Sequence, residues 1–256
     1  MPLTHCSLNL SHLLRQALRA ALLLPLAIPI PGCTSGPSIR HEFTMSPGQG
    51  YHSGLTRVLL IPINEVIDRP AGLNTADDEI MRIVVDYMKS HGLDVEQVNK
   101  RAYRRAYGVA VREAQTTLLS GESATASQDV EFSDVLPLLM SELDSDAQLV
   151  VIPSVVMRSG DYSGGKQVRW DGVRRRERGV RGAMSGTTQT ASIHIVIYRP
   201  DGTRLFSGYG GLDLLFELNM QKRKYQLRDD RLQDEENLAE GVCIAFHPFF
   251  GDDADC

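Results

Sequence analysis

Four cysteines, one tryptophan and 6% aromatic residues leave this 256-residue chain short of several kinds of machinery. No C-x₂-C spacing occurs, so a zinc ribbon or a dithiol redox motif is not expected. Neither H-E-x-x-H nor G-x-S-x-G is present, which removes the motif-borne zinc proteases and the nucleophile-elbow hydrolases. Positive charge is not in surplus: 27 Lys and Arg face 32 Asp and Glu, a net of −5, so no nucleic-acid partner is expected. The scarcity of aromatics argues against a base-stacking platform as well. No apolar run approaches the roughly 20 residues that a spanning helix needs. What is present is 42% hydrophobic and 23% charged residues in 28.3 kDa, the composition of an ordinary globular protein with room for a sizeable core.

The first 32 residues do not read as part of that core. Arg15 and Arg19 are the only charges before Arg40, and they precede the 11-residue apolar run Ala20–Ile30, which contains Pro25 and Pro29. Pro31-Gly32-Cys33 follows. A charged start, a short apolar stretch and a small-residue cleavage site make a secretory signal. Ile30-Pro31-Gly32-Cys33 also resembles the lipobox of bacterial lipoproteins, with Pro31 at an unusual position. The resemblance implies cleavage after Gly32, acyl chains such as palmitate on Cys33, and, with Thr34 following in place of Asp, retention at the outer membrane. Multiple chains at about 0.8 kcal/mol per buried CH₂ would hold such a protein on the bilayer.

Past the leader, 25 basic residues face 32 acidic ones, a net of −7. Cys243 and Cys256 are the cysteines left once Cys6 is discarded and Cys33 is lipidated. In an oxidising compartment they can form a disulfide; equally, Cys243 can be a small buried residue on a helix. The terminal position of Cys256, where chains are mobile, favours the unpaired state.

Residues 33–54 are rich in Gly, Pro and Ser without apolar period and read as a tether, able to reach about 65 Å if fully stretched. One domain, 55–256, follows. Val58-Leu-Leu-Ile-Pro-Ile63 is an uninterrupted apolar run, expected as a strand buried on both faces. Asn74, Thr75, Asp77 and Asp78 offer caps and first-turn acids to a helix carrying Ile80, Ile83, Val84, Tyr87 and Met88 on one stripe. Leu93–Val98 is a short strand, residues 100–119 a helix, and Phe132–Leu143 another, with Pro137 in its first turn. Leu149–Met157 is a second buried strand. Ala191, Ile193, Ile195 and Ile197 alternate with polar residues, Pro200-Asp201-Gly202-Thr203 makes a hairpin turn, and Leu205–Leu218 returns. A last helix starts near Asp229, with Leu238, Val242 and Phe246 inward. The predicted class is α/β, a mixed β-sheet sandwiched by helices in the order β-α-β-α-α-β-β-β-α.

The strand ending at Pro62, the strand Leu149–Met157 after Asp146-Ala-Gln148, the Asp201-Gly202 hairpin and the closing helix together resemble a group of periplasmic lipoproteins. These have an anticodon-binding-like or TolB-N-terminal-like fold, and include the penicillin-binding-protein activator LpoB and the curli secretion lipoprotein CsgG. The resemblance spans roughly residues 57–247. It implies a non-enzymatic protein that binds partners or assembles, and it does not extend to the pore segments of CsgG.

The most unusual stretch lies in an expected basic hairpin extension, 158–186. From Lys166 to Arg181 it holds seven basic residues and two acids: Lys166, Arg169, Arg174, Arg175, Arg176, Arg178 and Arg181 against Asp171 and Glu177. The single Trp170 sits among them. Such a segment suits anionic lipid, an envelope glycan phosphate or an acidic protein face. It suits equally a solvated hairpin paired with the chain's own acids, such as Asp229, Asp230 and Asp234–Glu236. Gly208-Tyr-Gly-Gly211 opens no helix, so it marks close backbone approach or a bulge, not a dinucleotide site. His194 lies on a strand face with no acid in sequence reach to complete a triad.

The expectation is a non-catalytic outer-membrane lipoprotein facing the periplasm, with no cofactor and no metal. It would bind or assemble envelope components through a protein, glycan or lipid partner, with self-assembly a further form. A membrane-tethered envelope hydrolase or polysaccharide-processing enzyme is the alternative.

Overall fold

A strand that is apolar at every position needs cover above and below, and the computed structural model of the chain supplies it. The described residues are 42–46, 51, 54–73, 75–117, 130–162, 166–177, 185–219, 221–222, 224–251 and 256, with backbone alone for 118–120. The leader, Cys33, Arg178 and Arg181 lie outside them. The chain divides into Met1–Pro37 and Ser38–Cys256, and the second unit contains all the core clusters described below.

Its elements are β1 (Phe43–Met45), β2 (Arg57–Leu60), α1 (Asp77–Ser90), β3 (Asp94–Gln97), α2 (Lys100–Ser120) and α3 (Phe132–Glu142). There follow β4 (Leu149–Tyr162), β5 (Gln167–Trp170), β6 (Val173–Arg176), β7 (Thr187–Tyr198), β8 (Arg204–Leu214), β9 (Phe216–Asn219), β10 (Lys224–Leu227) and α4 (Glu235–Phe250). The strand order β1-β8-β7-β4-β2-β3 is antiparallel from β1 to β4 and parallel from β4 to β3, with the β5–β6 hairpin attached to the far end of β4. The fold is α/β, a mixed sheet between helices.

The two-residue period of the strands sorts the core. Val58, Leu60, Val151, Val155, Ile193, Ile195 and Ile197 face α1 and α4, where Ile80, Val84, Met88, Val242 and Phe246 meet them. Leu59, Ile61, Val150, Ile152 and Val196 face α2 and α3. The Asp201-Gly202 hairpin forms as expected: Gly202 has φ +88°, and Asp201 Oδ1 accepts from the Thr203 amide at 2.8 Å.

Several expectations need correction. The tether is not free to its end: Phe43–Met45 pairs with Gly208–Phe206, covering part of the edge of β8. Phe43 stacks on Phe206 there, and Met45 packs on the core. The return strand breaks at Leu215 into β8 and β9, and β9 pairs only with β10 among the described residues. Helix α1 is capped at Ala76 without a side-chain bond, Asp77–Glu79 forming its first turn. Helix α4 begins at Glu235, because Asp234 accepts from the Asn237 amide at 3.1 Å and fixes the start there. Pro137 sits in the second turn of α3, not the first.

Cys243 and Cys256 are bonded, with Cα atoms 5.6 Å apart, against the unpaired state that chain-end mobility favoured. The bridge closes a loop of sequence separation 13, for which chain-entropy arguments give about 3 kcal/mol at most. Reduction is therefore expected to lower the melting temperature by several degrees, as a thermal scan with and without dithiothreitol would show. An unchanged midpoint in a Cys256→Ser variant would contradict that stapling role.

Candidate binding surface

The basic segment 166–176 is a tight hairpin turned by Asp171 and Gly172, both at positive φ (+34° and +85°). Register pairs Val168 with Arg175 and Trp170 with Val173, so those four share one face. Gln167, Arg169, Arg174 and Arg176 share the other. The first face is inward: Val168, Trp170 and Val173 are buried with Leu214 and Ile244. Trp170 is only 6% exposed and donates from Nε1 to the Ala191 carbonyl at 3.1 Å. As a partner-binding residue Trp170 is thus corrected to a core residue. Its alternation with arginine and the Asp-Gly turn are the sequence signals that identify the hairpin.

Of the remaining basic residues, Arg174 and Arg176 are exposed, and Lys166 and Arg169 are half-buried. Arg175 is turned inward and pairs with Glu240 on α4 at 2.7 Å. The protein's own acids therefore take one arginine of the segment, through Glu240 and not through the acids expected from sequence.

Asp171 locks the hairpin tip onto the sheet. Its carboxylate accepts from Arg158 Nε at 3.0 Å, Arg158 Nη2 at 3.2 Å and Ser192 Oγ at 2.6 Å. Its carbonyl accepts from the Gly211 amide at 3.0 Å. Arg158 also bonds Glu42 and lies 4.4 Å from the Tyr209 ring centroid, a cation–π contact. Sequence reading missed this cluster because its members come from β4, β7, β8, the β5–β6 turn and the residue just before β1.

His194 belongs to the same sheet face. Its ring stacks on Tyr209 at 4.2 Å, and its Nε2 is 2.8 Å from Ser207 Oγ. Burial, reinforced by the positive charges of Arg158 and Arg204, pushes the imidazole down to about 4. The ring is neutral at pH 7 and a weak proton acceptor. Among the described residues no carboxylate bonds its other nitrogen. Unfolded histidine protonates near 6.5, so between 6.5 and 4 the unfolded chain binds more protons. Stability from this residue is complete above pH 6.5 and falls as pH drops towards 4, by about 2–4 kcal/mol. Glu177, pushed up by its own burial despite a hydrogen bond from Tyr162, acts in the opposite sense at acid pH. Denaturant unfolding at pH 7 and pH 4.5 should show a smaller loss in His194→Gln than in the parent chain; equal losses would remove His194 as the cause.

A cleft of about 330 Å³ lies beside the hairpin, lined by Arg175, Arg176, Phe216, Arg228, Asp230 and Asn237 among others. Its central charge is already spent: Arg228 donates to Asp213 at 2.6 Å, to Asp230 at 3.0 Å and to the Leu214 carbonyl at 2.9 Å.

No protein-family model matches the chain, and no curated protein matches it. Among solved structures, a PelC dodecamer from Paraburkholderia phytofirmans, a point variant, is similar at 9% identity, with a TM-score of 0.38, covering 83% of this chain and 100% of that one. A putative neuraminyllactose-binding hemagglutinin homolog from Helicobacter pylori is similar at 11% identity, with a TM-score of 0.31, covering 78% and 87%. Such distant likenesses decide nothing about this site.

Proposed function

We propose that the chain is a non-catalytic lipoprotein of the cell envelope, anchored to the outer membrane through Cys33, whose α/β domain binds or assembles envelope components. The observation that carries this reading is the leader running directly into Ile30-Pro31-Gly32-Cys33. The disulfide between Cys243 and Cys256 supports it, since such bonds persist in oxidising compartments such as the periplasm. The arginine face of the β5–β6 hairpin, with Arg174 and Arg176 exposed, offers a contact surface to an anionic partner.

The test is metabolic labelling with palmitate followed by membrane fractionation. The parent chain is expected to carry label and to sediment with the outer membrane, whereas Cys33→Ala carries none. A parent chain that is unlabelled and soluble would defeat the proposal. The competing reading, a membrane-tethered envelope hydrolase or polysaccharide-processing enzyme, has one observation in its favour, the Ser207–His194 pair at 2.8 Å. Covalent labelling of Ser207 by a fluorophosphonate would replace the first reading with the second.

A further inference from the structure

The β9–β10 hairpin forms no backbone ladder with the main sheet among the described residues, and Tyr225 meets β4 through its hydroxyl, 3.3 Å from that of Tyr162. Its register pairs Phe216 with Leu227 and Leu218 with Tyr225, placing four apolar side chains on one face. The other face pairs Glu217 with Gln226 and Asn219 with Lys224. It is wired by Asn219 Nδ2 to Gln226 Oε1 and Gln226 Nε2 to Glu217 Oε1, both at 2.9 Å. Phe216 leans on the core, but Tyr225 and Leu227 stay 45% and 40% exposed. Lys222 and Lys224 are exposed towards the tip, and neither has an ion-pair partner among the described residues. A ribbon with a half-exposed apolar face, a tyrosine and flanking lysines has the chemistry of a bilayer interface.

The topology gathers positive charge beside this ribbon. Strand β9 starts just past the end of β8, and Glu42, which precedes β1, lies beside Tyr209, midway along β8. Strand β4 runs parallel to β8, both being antiparallel to β7, and therefore brings the arginine face of β5–β6 to that same end. With Phe43–Met45 paired, nine sequence steps separate Cys33 from Glu42, an upper bound of about 30 Å and half the reach expected from the sequence. Asp161 is an exposed acid on β4, while Asp229 and Asp230 lie at the root of the β9–β10 ribbon and not at its tip.

We propose that this end of the sheet, led by the β9–β10 hairpin, rests on an anionic phospholipid surface, holding the domain against the membrane. The choice of surface rests on the Cys33 anchor reading, but the contact itself is testable without it. Residues Thr34–Cys256 contain the whole self-contained second unit. This lipid-free chain is expected to co-sediment with vesicles of phosphatidylethanolamine containing one quarter phosphatidylglycerol, and not with phosphatidylcholine vesicles. Lys222→Glu with Lys224→Glu, at exposed positions that leave the core untouched, should weaken the binding by about tenfold or more. Tyr225→Ser with Leu227→Ser should weaken it without removing its salt dependence.

Absence of vesicle binding, or equal binding by the charge-reversed chain, would overturn the proposal. So would a photo-crosslinker at position 225 that captures a protein in place of lipid in whole cells. Palmitate labelling separates the two readings. Vesicle binding without label would sink the anchor and keep the contact, while label without vesicle binding would do the reverse.

Discussion

Replacing Gly210 by alanine is expected to destabilise the domain by about 3 kcal/mol or more, the largest loss from any single added methyl group among the described glycines. A Cβ on Gly210 would lie on the Gly241 carbonyl, with the Ala245 amide nitrogen 2.9 Å away. Both contacts are backbone of α4, which cannot rotate aside as a side chain can. Gly241 in turn has the Gly211 carbonyl where its own Cβ would stand. Helix and strand therefore touch backbone to backbone, and a methyl group must push α4 off β8, with Val242 and Phe246 behind it. Guanidinium unfolding reads the effect directly. Gly54→Ala, where nothing lies within 4 Å, is the matched control and should stay within about 0.5 kcal/mol of the parent. Equal midpoints for the two variants would show that the close approach is not as tight as the geometry requires.

Asp171→Ala is expected to cost about 2–3 kcal/mol and to loosen the basic hairpin. The Asp171 side chain is 5% exposed and faces Arg158, itself 30% exposed. Removing the carboxylate leaves a guanidinium largely buried without its partner and deprives Ser192 of its acceptor. The partial exposure of Arg158, and its second bond to Glu42, keep the loss below that of a fully buried pair. Alanine is also the poorer residue at φ +34°, where Asp or Asn is tolerated. Asp171→Asn should therefore recover part of the stability by keeping the turn and an acceptor for Ser192. Hydrogen exchange at the Gly211 amide, which bonds the Asp171 carbonyl, is the local readout. If exchange there is unchanged in Asp171→Ala, the hairpin is held by Trp170 and Val173 alone.

Elements whose signal is local were legible. Val58–Ile61 announced burial on both faces, and Ile80, Ile83, Val84 and Met88 announced one face of α1; all eight are buried. The alternation Ala191 to Ile197 likewise matched the face turned towards α1 and α4. Strand β1 was not legible. Its three residues sit among Gly, Pro and Ser, and they become a strand because β8 has an edge to cover. The inward Trp170 was hidden for a related reason. Seven basic residues dominate the composition of its segment, and the pocket that receives the indole exists only because Gly160 and Gly211 lack side chains there. The disulfide was open in the sequence, since an even pair says that bonding is allowed and says nothing of whether a chain end folds back to it.

Sequence by itself determined the apolar run Ala20–Ile30 ahead of Cys33, the periods of the main strands and helices, and the concentration of positive charge between Lys166 and Arg181. Each depends on residues a few positions apart, where chain geometry alone relates them. Tertiary structure decided which arginines face solvent, that His194 is held neutral beside Ser207, and that Arg158 and Asp171 are joined across the sheet. It also decided that Phe43–Met45 is a strand on the edge of β8. These rest on strand pairing, burial and missing side-chain volume contributed by residues up to 165 positions apart, as Phe43 and Gly208 are. Such contacts arise only once the competing faces of the whole sheet have been covered.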